Sequence, residues 1–314
     1  MEIEIIGDSP ALQSVLRAAG LVASADVTTL IRGESGSGKE LLARMIHKAS
    51  PRAGKPFMAI NCAALPEALA ESTLFGHRKG AFTGALDHQP GVIRSTGGGT
   101  LFLDEIAELP LPMQGKLLRF LESGEFFPVG DPSPVKVNVR IISATNRDLY
   151  AEAQAGRFRQ DLFYRLNVVE LTLPPLRERA EDIEKLLLSF TSAFATMNGL
   201  AAPSYSRDAL VALRAYRWPG NARELKNFAQ RMTILLGGRT ITIDNLPLEM
   251  KPGHKPLSAG NFSLLDLGMG LMEMEEELIR QALERAGGNR SKAARALGIS
   301  RDTLLYRLKK HSLG

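Results

Sequence analysis

At 314 residues the chain is long enough for two or three domains with sizeable cores. Its composition, 44% hydrophobic and 23% charged, is that of an ordinary globular protein. The start, MEIEIIGDSP, lacks the basic flank and apolar core of a signal peptide, and no run approaches the roughly 18 apolar residues of a membrane span. The one cysteine, Cys62, excludes an internal disulfide framework. We therefore expect a cytoplasmic protein without membrane contact.

The net charge of +5 is concentrated near the C-terminus. From Asn289 onward there are seven Lys/Arg and one acid, so this segment carries +6 and the preceding 288 residues sum to −1. A nearly neutral body with a basic terminal segment favours a polyanionic partner for that segment alone. A solvated basic helix without such a partner is the alternative that charge does not exclude.

Apolar segments of strand-like composition alternate with helical patterns through the first half of the chain. The segments cover residues 27–31, 57–60, 101–103, 137–144 and 168–173. This alternation predicts an α/β fold, with a mostly parallel sheet covered by helices. After Pro174-Pro175 we expect no further strands, and residues 179–236 read as helical. Residues 249–265 are rich in Pro, Gly, Ser and Lys without periodicity, which indicates a linker.

A glycine-rich loop, GESGSGK, lies between the apolar strand VTTLI and the helical stretch ELLARMIH, which is the context of a phosphate loop. Glycines let backbone N–H groups turn towards phosphate oxygens, and the helix N-terminus adds its dipole. Lys39 is expected to reach the β and γ phosphates of ATP, while Glu40 stands where the general motif has a magnesium-binding Ser or Thr. The predicted ATP-binding residues of this loop are Gly33, Glu34, Ser35, Gly36, Ser37, Gly38, Lys39 and Glu40.

A second apolar strand, in GGGTLFLDE, ends in two acids. We expect Asp104 to hold Mg²⁺ and Glu105 to polarise the attacking water. The strand VNVRIISATN ends in Asn146, placed where it could contact the γ-phosphate. Adjacent acids after a strand are common, but together with the phosphate loop they predict hydrolysis, with ATP and Mg²⁺ as cofactors.

Between these motifs lies GAFTGA, residues 80–85, directly after the basic run His77-Arg78-Lys79. The loop contains no acid, no base and no evident metal ligand. It offers two glycines, two alanines, one phenylalanine and one threonine, so an apolar tip stands on a flexible base. Chemistry does not explain such a loop in an ATP-dependent protein.

Five stretches carry a family resemblance. They are GESGSGKE, FGHRKGAFTGA, GGGTLFLDEI, FRQDLFYRLNVVELTLPPLRER and WPGNARELKN. Together they closely resemble the central AAA+ domain of bacterial enhancer-binding activators of sigma-54 RNA polymerase, and GAFTGA is nearly diagnostic because other AAA+ branches lack it. The resemblance runs from Ile5 to the C-terminus. It implies an α/β AAA+ P-loop NTPase with a parallel sheet, a helical lid subdomain and an all-α helix-turn-helix domain.

The resemblance also implies how the chain is divided. We expect an α/β ATPase subdomain over residues 1–175 and a helical lid over 176–248. A linker over 249–266 and a Fis-type DNA-binding domain over 267–314 would follow. No receiver domain precedes the ATPase part of this sequence, so we expect either a separate regulatory protein or a chain that has been truncated.

Roles follow from the resemblance position by position. The GAFTGA loop, which grips the sigma factor in the family, corresponds to Gly80, Ala81, Phe82, Thr83, Gly84 and Ala85, with Phe82 and Thr83 as the main contacts. Asn61 matches an asparagine that holds the catalytic Glu105 until the nucleotide state changes. Arg223 matches a nucleotide sensor on the lid.

Two further arginines, Arg159 and Arg165, match the family's arginine fingers, which reach the γ-phosphate of a neighbouring subunit. Hydrolysis would then require a homo-oligomer, from a dimer up to a hexameric ring. Outside this motif context, each arginine would more simply form a surface ion pair.

Three positions depart from the family pattern. Arg78 stands where an acid usually follows the loop histidine. Residues 91–94 read Gly-Val-Ile-Arg in place of the usual GRFE, and Pro128 stands where Arg is common. Because the usual Glu and Arg relay the nucleotide state to the loop, we expect that relay to run either differently or more weakly here.

The terminal segment has a helix-turn-helix pattern that resembles the Fis-type domain of this family. Ser291 and Ser300 are expected to cap its two helices, and Gly298 to permit the turn. Its inward face would consist of Ala294, Leu297, Ile299, Leu304 and Leu308. The predicted DNA-binding residues are Arg290, Lys292, Arg301, Thr303, Tyr306, Arg307, Lys309 and Lys310. A preceding helix carries Met274, Leu278, Ala282 and Ala286, which contact either a dimer partner or the domain's own core.

These observations predict an ATP-dependent activator that binds upstream enhancer DNA and remodels the sigma-54 RNA polymerase holoenzyme from the closed to the open complex. An AAA+ enzyme of another branch, such as a chaperone or helicase loader, is one alternative. A DNA-binding regulator with a vestigial nucleotide site is the other. ATP turnover measured with and without sigma-54 distinguishes the three.

Overall fold

The computed structural model describes residues 5–251 and 271–311, the latter without the side chains of residues 271, 273, 274, 285 and 296. Two compact units divide the chain, Met1–Pro252 and Gly253–Gly314. Most of the predicted linker and the side chain of Met274 lie outside the described residues. No helix in the described ranges is both long and apolar enough to cross a membrane.

The strands of the first unit form one large and two small sheets. In chain order they are β1 (Thr29–Arg32), β2 (Phe57–Asn61), β3 (Thr100–Asp104), β4 (Glu125–Phe126), β5 (Val135–Lys136), β6 (Arg140–Thr145), β7 (Val169–Thr172), β8 (Ser204–Tyr205) and β9 (Thr240–Ile241). The large sheet is parallel throughout, in the order β2-β3-β6-β1-β7. It contains all five predicted strands, so the α/β prediction is confirmed.

The earlier helices of the first unit cover this sheet, and the later ones form a separate helical subdomain. They are α1 (Pro10–Ser24), α2 (Lys39–Lys48), α3 (Glu67–Phe75), α4 (Gly91–Ser95), α5 (Leu111–Ser123), α6 (Leu149–Gln154), α7 (Gln160–Leu166), α8 (Asp182–Asn198), α9 (Arg207–Ala215) and α10 (Asn221–Leu236). Neighbouring strand residues point to opposite faces of the sheet. Leu30 accordingly packs in the core that contains α5 and α7, whereas Ile31 packs in the core that contains α1 and α2.

The helical lid consists of α8, α9 and α10 around a core of its own, centred on the fully buried Trp218. The prediction that strands stop after Pro175 is wrong, because β8 and β9 pair in parallel within the lid. Each has only two residues, and Ser204 and Thr240 are exposed. Strands this short show no alternation, so the sequence gives no signal for them.

The described residues of the second unit, 271–311, form three helices, α11 (Leu271–Arg285), α12 (Arg290–Ala296) and α13 (Arg301–Lys310). The predicted inward residues are confirmed: Ala294, Leu304 and Leu308 are buried, and Leu297 and Ile299 pack against them. Gly298 has φ +67°, and the Ser300 hydroxyl caps α13 by accepting from the Thr303 N–H. The α12 cap differs from the prediction, because Asn289 takes the place expected of Ser291. Its Oδ1 accepts from the N–H groups of Ser291 and Lys292, both at 3.1 Å.

Candidate functional site

The phosphate loop, residues 33–39, follows β1 at the C-terminal edge of the sheet. Gly36 and Gly38 have φ of +75° and +107°, values that residues with a side chain rarely adopt. The turn leads directly into α2, whose first residue is Lys39. Strand, left-handed glycines and helix N-terminus therefore form the anion-binding geometry that the sequence predicts.

Lys39 lies across the loop that precedes it. Its ammonium is buried, donates to Gly33 O at 3.0 Å and to Glu34 O at 3.4 Å, and lies 3.3 Å from Glu105 Oε1. The two predicted catalytic side chains, 66 positions apart, thus meet at one edge of the sheet. Glu40 takes no part in this contact, since its carboxylate accepts from Arg44 one helical turn later at 2.7 Å.

Asp104 and Glu105 are held differently although they are adjacent. Asp104 is the last residue of β3, whereas Glu105 has φ +50°, a backbone strain that is costly outside glycine. Burial, together with the neighbouring Glu105 carboxylate, raises the pKa of Asp104. A cation bound at Asp104 would relieve this repulsion.

Asn61 and Asn146 lie beside Asp104 and Glu105. The hydrogen-bond partner of Asn61 in this structure is not the expected Glu105. Asn61 lies next to Asp104 in the sheet register, and its Oδ1 accepts from the Ala63 N–H at 2.9 Å. Glu105 instead interacts with Lys39 and with the backbone N–H of Asn146, which lies 3.4 Å from Glu105 Oε2. In this structure, therefore, Asn61 caps a short turn, while Lys39 and Asn146 contact the carboxylate of Glu105, the predicted catalytic residue.

The lid and the segment that precedes it contact the phosphate loop through three arginines, Arg177, Arg179 and Arg223. Arg223 Nη1 donates to Ser35 Oγ at 2.9 Å. Arg177 forms a two-pronged pair with Glu34, at 2.9 and 2.8 Å, and this pair lowers the pKa of Glu34. The buried Arg179 donates to Ser37 O at 3.2 Å. Arg177 and Arg179 could not be identified as contacts of the phosphate loop from the sequence, because a basic LRER stretch is also typical of an exposed turn.

The predicted arginine finger Arg165 lies away from its own phosphate loop. Its guanidinium donates to Leu121 O at 2.8 and 3.2 Å. It lines a cavity of about 420 Å³ with Thr28, which precedes β1, and with Arg140, the first residue of β6. The phosphate loop lies at the other end of these parallel strands, and the six residues of β6 put the two edges about 17 Å apart.

Arg159, the other predicted finger, immediately precedes α7 and is half-exposed. Its guanidinium binds both oxygens of Asp161 at 3.1 and 2.7 Å, which lowers the pKa of that carboxyl. Its backbone N–H donates to Gln114 Oε1 at 2.8 Å. In the described part of the chain, both guanidinium groups are bound elsewhere, and neither forms a hydrogen bond to the phosphate loop.

The GAFTGA loop is a small exposed turn closed by backbone hydrogen bonds. Gly80 N donates to Ala85 O at 2.9 Å, and Ala85 N donates to Phe82 O at 3.0 Å. The ring of Phe82 packs edge-on against the buried His77, with the centroids 4.9 Å apart, yet Phe82 remains 38% exposed. Thr83 is exposed and Ala85 is buried. The loop thus offers Phe82 and Thr83 at its surface and uses Ala85 as its anchor.

The base of this loop is tied to the hairpin of β4 and β5. Arg78, the first departure from the family pattern, places Nε 2.6 Å from Asp131 Oδ2. Arg78 N donates to Val129 O, and Val129 N donates to Gly76 O. Pro128 is buried beside these bonds, whereas Arg94 is exposed on α4. An ion pair and two backbone bonds thus connect the loop to the hairpin.

In the second unit, most of the predicted DNA-binding side chains are exposed. Those exposed are Arg290, Lys292, Arg301, Tyr306, Lys309 and Lys310. Arg307 is less free than predicted, because its Nη1 lies 2.7 Å from Glu275 Oε1 on α11. Lys310 and His311 share the same carboxylate, at 3.8 and 3.1 Å. Glu275 therefore binds one end of the basic face.

Three family models match consecutive parts of the chain. Residues 5–172 match the sigma-54 interaction domain, residues 177–261 match the AAA+ ATPase lid domain, and residues 270–311 match the bacterial regulatory protein, Fis family.

Related proteins match along nearly the whole chain. The transcriptional regulatory protein ZraR of Escherichia coli (strain K12) is 48% identical over 304 residues, which cover 97% of this chain and 68% of the relative. The DNA-binding transcriptional regulator NtrC of Salmonella typhimurium is 43% identical, covering 98% and 70%. The crystal structure of NtrX from Brucella abortus in complex with ADP superimposes with a TM-score of 0.78 at 34% identity, covering 99% of this chain and 69% of that one. The chain thus belongs to the sigma-54-dependent transcriptional activators and is an AAA+ ATPase with a Fis-type DNA-binding helix-turn-helix.

Proposed function

We propose that this ATPase acts as a ring on the sigma-54 RNA polymerase holoenzyme and uses ATP hydrolysis to convert the closed promoter complex into the open one. In this proposal the terminal helix-turn-helix holds the protein on upstream enhancer DNA, and the work takes place in the cytoplasm. The relatives ZraR and NtrC are named as transcriptional regulators, which supports a role at promoters.

The position of Arg165 carries the proposal of a ring. Within one chain Arg165 lies beside the first residues of β6, at the edge of the sheet opposite to the phosphate loop. Its side chain cannot span the roughly 17 Å between those edges. A neighbouring subunit that places its phosphate loop against this edge brings the guanidinium to the γ-phosphate, where an arginine stabilises the transition state.

Within each site we assign the chemistry to three side chains. Lys39 leaves the carbonyl oxygens that it now contacts and binds the β and γ phosphates. Glu105 orients the attacking water, and Asp104 would hold Mg²⁺, which neutralises charge on the phosphates. Among the described residues no three His, Cys, Asp or Glu side chains form a metal cage. A single carboxylate together with phosphate oxygens fits Mg²⁺, which usually binds proteins through one or two carboxylates.

The exposed GAFTGA tip is the contact that transmits this energy. Hydrolysis can move the promoter complex only if the loop binds sigma-54 better in one nucleotide state than in another. Phe82 and Thr83 are the groups available for that contact.

ATP turnover per subunit, measured against protein concentration with and without sigma-54, tests the proposal. We expect turnover to rise steeply with concentration, and promoter opening to follow when sigma-54 polymerase and an upstream site are present. A rate that does not depend on concentration would indicate a site complete within one chain. Efficient turnover without promoter opening would instead favour a different partner.

A further inference from the structure

One buried side chain connects the lid, the segment that leads into it, and the phosphate loop. Asn221, the first residue of α10, is fully buried. Its Oδ1 accepts from the Leu176 N–H at 2.7 Å, and its Nδ2 donates to Glu34 Oε2 and to Ser35 O, both at 3.1 Å. Every hydrogen-bonding group of this amide therefore faces an element that contributes to the nucleotide site.

The backbone that leads into Asn221 is strained. Trp218 has φ +49°, which a bulky residue rarely adopts, and Asn221 has φ +51°, which asparagine adopts more readily than most residues. Such strain persists only where the surroundings enforce it, and it is concentrated at functional sites. The same segment touches the loop directly, since a Cβ on Gly36 would lie 2.3 Å from Gly220 O. The segment is thus pressed against the phosphate loop.

Glu34 fixes the other side of this contact. Its carboxylate accepts from Asn221 and, through both oxygens, from Arg177. Glu34 and Ser35 form the turn that precedes the left-handed Gly36, so their position sets where the loop N–H groups point. Two residues after Asn221, Arg223 donates to Ser35 Oγ.

We propose that Asn221 is a positioning residue for ATP binding: it fixes the Glu34–Ser35 turn against the lid, so that Arg223 is aimed at the phosphates. When ATP binds, Asn221 keeps its hydrogen bonds to Glu34 and Ser35, whereas Arg223 releases Ser35 and contacts the nucleotide. This inference rests on the proposed ATP site at Lys39 and Arg223. It adds that the action of Arg223 depends on the amide of Asn221.

A double-mutant cycle tests this dependence. Asn221→Asp keeps the shape and the acceptor for Leu176 but turns the donor towards Glu34 into an acceptor. We expect it to weaken ATP binding by roughly tenfold or more, as does the loss of a buried hydrogen bond to a charged group. If Arg223 acts through Asn221, adding Arg223→Ala to Asn221→Asp should weaken binding little further. Full additivity of the two changes would overturn the inference.

A second change offers a rescue that a purely structural role would not give. Glu34→Gln supplies an amide donor opposite the carboxylate of Asn221→Asp, which restores the bond with its polarity reversed. We expect the double variant to bind ATP several-fold more tightly than Asn221→Asp alone. Double-variant binding no better than that of the single variant would count against the specific contact. The Asn221→Gly variant keeps the positive φ and should show no rescue by Glu34→Gln.

Binding can be followed without turnover, because Trp218 is the one tryptophan of the chain and lies three residues from Asn221. ATP titrations of its fluorescence give the affinity of each variant. Thr233→Val is the matched control. It removes a buried hydroxyl on the same helix, bonded to Ala229 O and not to the loop, and should bind ATP normally at a similar melting temperature.

Lys39→Ala separates failure of this inference from failure of the proposed site. If Lys39→Ala binds ATP as the wild type does, the ATP site itself is wrongly assigned, and the inference falls with it. If Lys39→Ala loses ATP while Asn221→Asp binds it normally, the site stands and only the role of Asn221 is overturned. Should Asn221→Asp not fold, Asn221→Gly takes its place in the cycle with Arg223→Ala.

Discussion

The two glycine-containing loops of the ATPase unit are held in opposite ways. The phosphate loop receives side chains from the lid and the segment before it, including Arg177, Arg179, Asn221 and Arg223, and its own Lys39 is buried. The GAFTGA loop is closed by its own backbone bonds and by one ring contact between Phe82 and His77, and its base is joined to the β4–β5 hairpin through Arg78 and Asp131. One loop is fixed mainly by side chains from another subdomain, and the other mainly by its own backbone and by the hairpin at its base.

This difference matches two kinds of task. Phosphoryl chemistry depends on groups held in place before the substrate arrives, so external fixation is an advantage. A loop that must engage and release a partner needs a surface whose other contacts are few, as at Phe82 and Thr83. We therefore expect changes in the phosphate loop to alter ATP turnover. Changes in the GAFTGA loop should leave turnover intact and alter only sigma-54 binding and promoter opening.

The largest expected effect concerns Arg165, which we propose that a neighbouring subunit supplies to the phosphate site. Arg165→Ala should lower turnover about 10³-fold or more even when assembled, which is the range for an arginine finger. Mixing it with Lys39→Ala should restore some hydrolysis, because mixed interfaces then contain both groups. Arg157→Ala, an exposed arginine paired with Glu152, is the control and should turn over normally. Near-normal turnover by Arg165→Ala would mean that the phosphate site is complete within one chain.

The next effect concerns the water-activating group. Glu105→Gln keeps the side-chain shape at φ +50° and should still bind ATP, but turnover should fall by about 10² to 10⁴. Glu108→Gln, three residues later in an exposed pair with Arg147, should leave turnover unchanged. Comparing ATP binding and hydrolysis on the same preparations makes the distinction. Wild-type turnover in Glu105→Gln would falsify the assignment.

Thr83→Ala tests the second loop directly. Turnover should stay within about twofold, whereas sigma-54 binding in the ADP–metal fluoride complex and promoter opening should fall at least about tenfold. The metal fluoride stands in for the γ-phosphoryl group in flight. Leu86→Ala, exposed just outside the motif, should retain both activities. Parallel loss of turnover and opening would indicate a role in folding or catalysis, and full retention of opening would place the contact elsewhere.

A smaller effect is expected in the DNA-binding unit. Arg301 is exposed, whereas the Arg307 guanidinium is bound to Glu275. Arg301→Ala should weaken DNA binding and reduce the slope of affinity against salt by about one. Arg307→Ala should change that slope less. Titrations of the whole chain with an upstream site at several salt concentrations measure both, and a larger change for Arg307 would show that Glu275 releases it on DNA.

The smallest effect should come from the pair that joins the second loop to the hairpin. Arg78→Ala breaks an exposed contact with Asp131, so promoter opening should fall by no more than a few-fold, with turnover unchanged. Asp131→Ala should behave alike, and the double variant should be no worse than either. A collapse of opening as deep as that of Thr83→Ala would mean that the pair is part of the relay.

Motifs with their own local geometry could be predicted from the sequence. The phosphate loop, the acids after β3 and the Ser300 cap each depend on neighbours within a few residues. Interactions across long separations could not be predicted, such as Arg78 with Asp131 or Asn221 with Glu34, which lie 53 and 187 positions apart. The sequence shows the residue types but not which partners the fold brings to them.

One error within a short segment had a different cause. Asn289 and Ser291 are both good caps, two positions apart, and only the φ and ψ angles of the turn decide between them. The role of Asn61 towards Glu105 stays a prediction from the resemblance, and in this structure its side chain accepts from the nearer Ala63 N–H. Competition between a local and a distant partner is settled by backbone geometry, which the sequence does not contain.

The strand order also determines when the ATP site can form during synthesis of the chain on the ribosome. β1 carries the phosphate loop, yet both of its neighbours, β6 and β7, are more than a hundred residues later in the chain. At about 5 to 20 residues per second, the ribosome needs on the order of ten seconds to supply them. Until then β1 has two unpaired edges, which are prone to aggregation. We therefore expect the nascent chain to be most prone to aggregation before β7 has emerged.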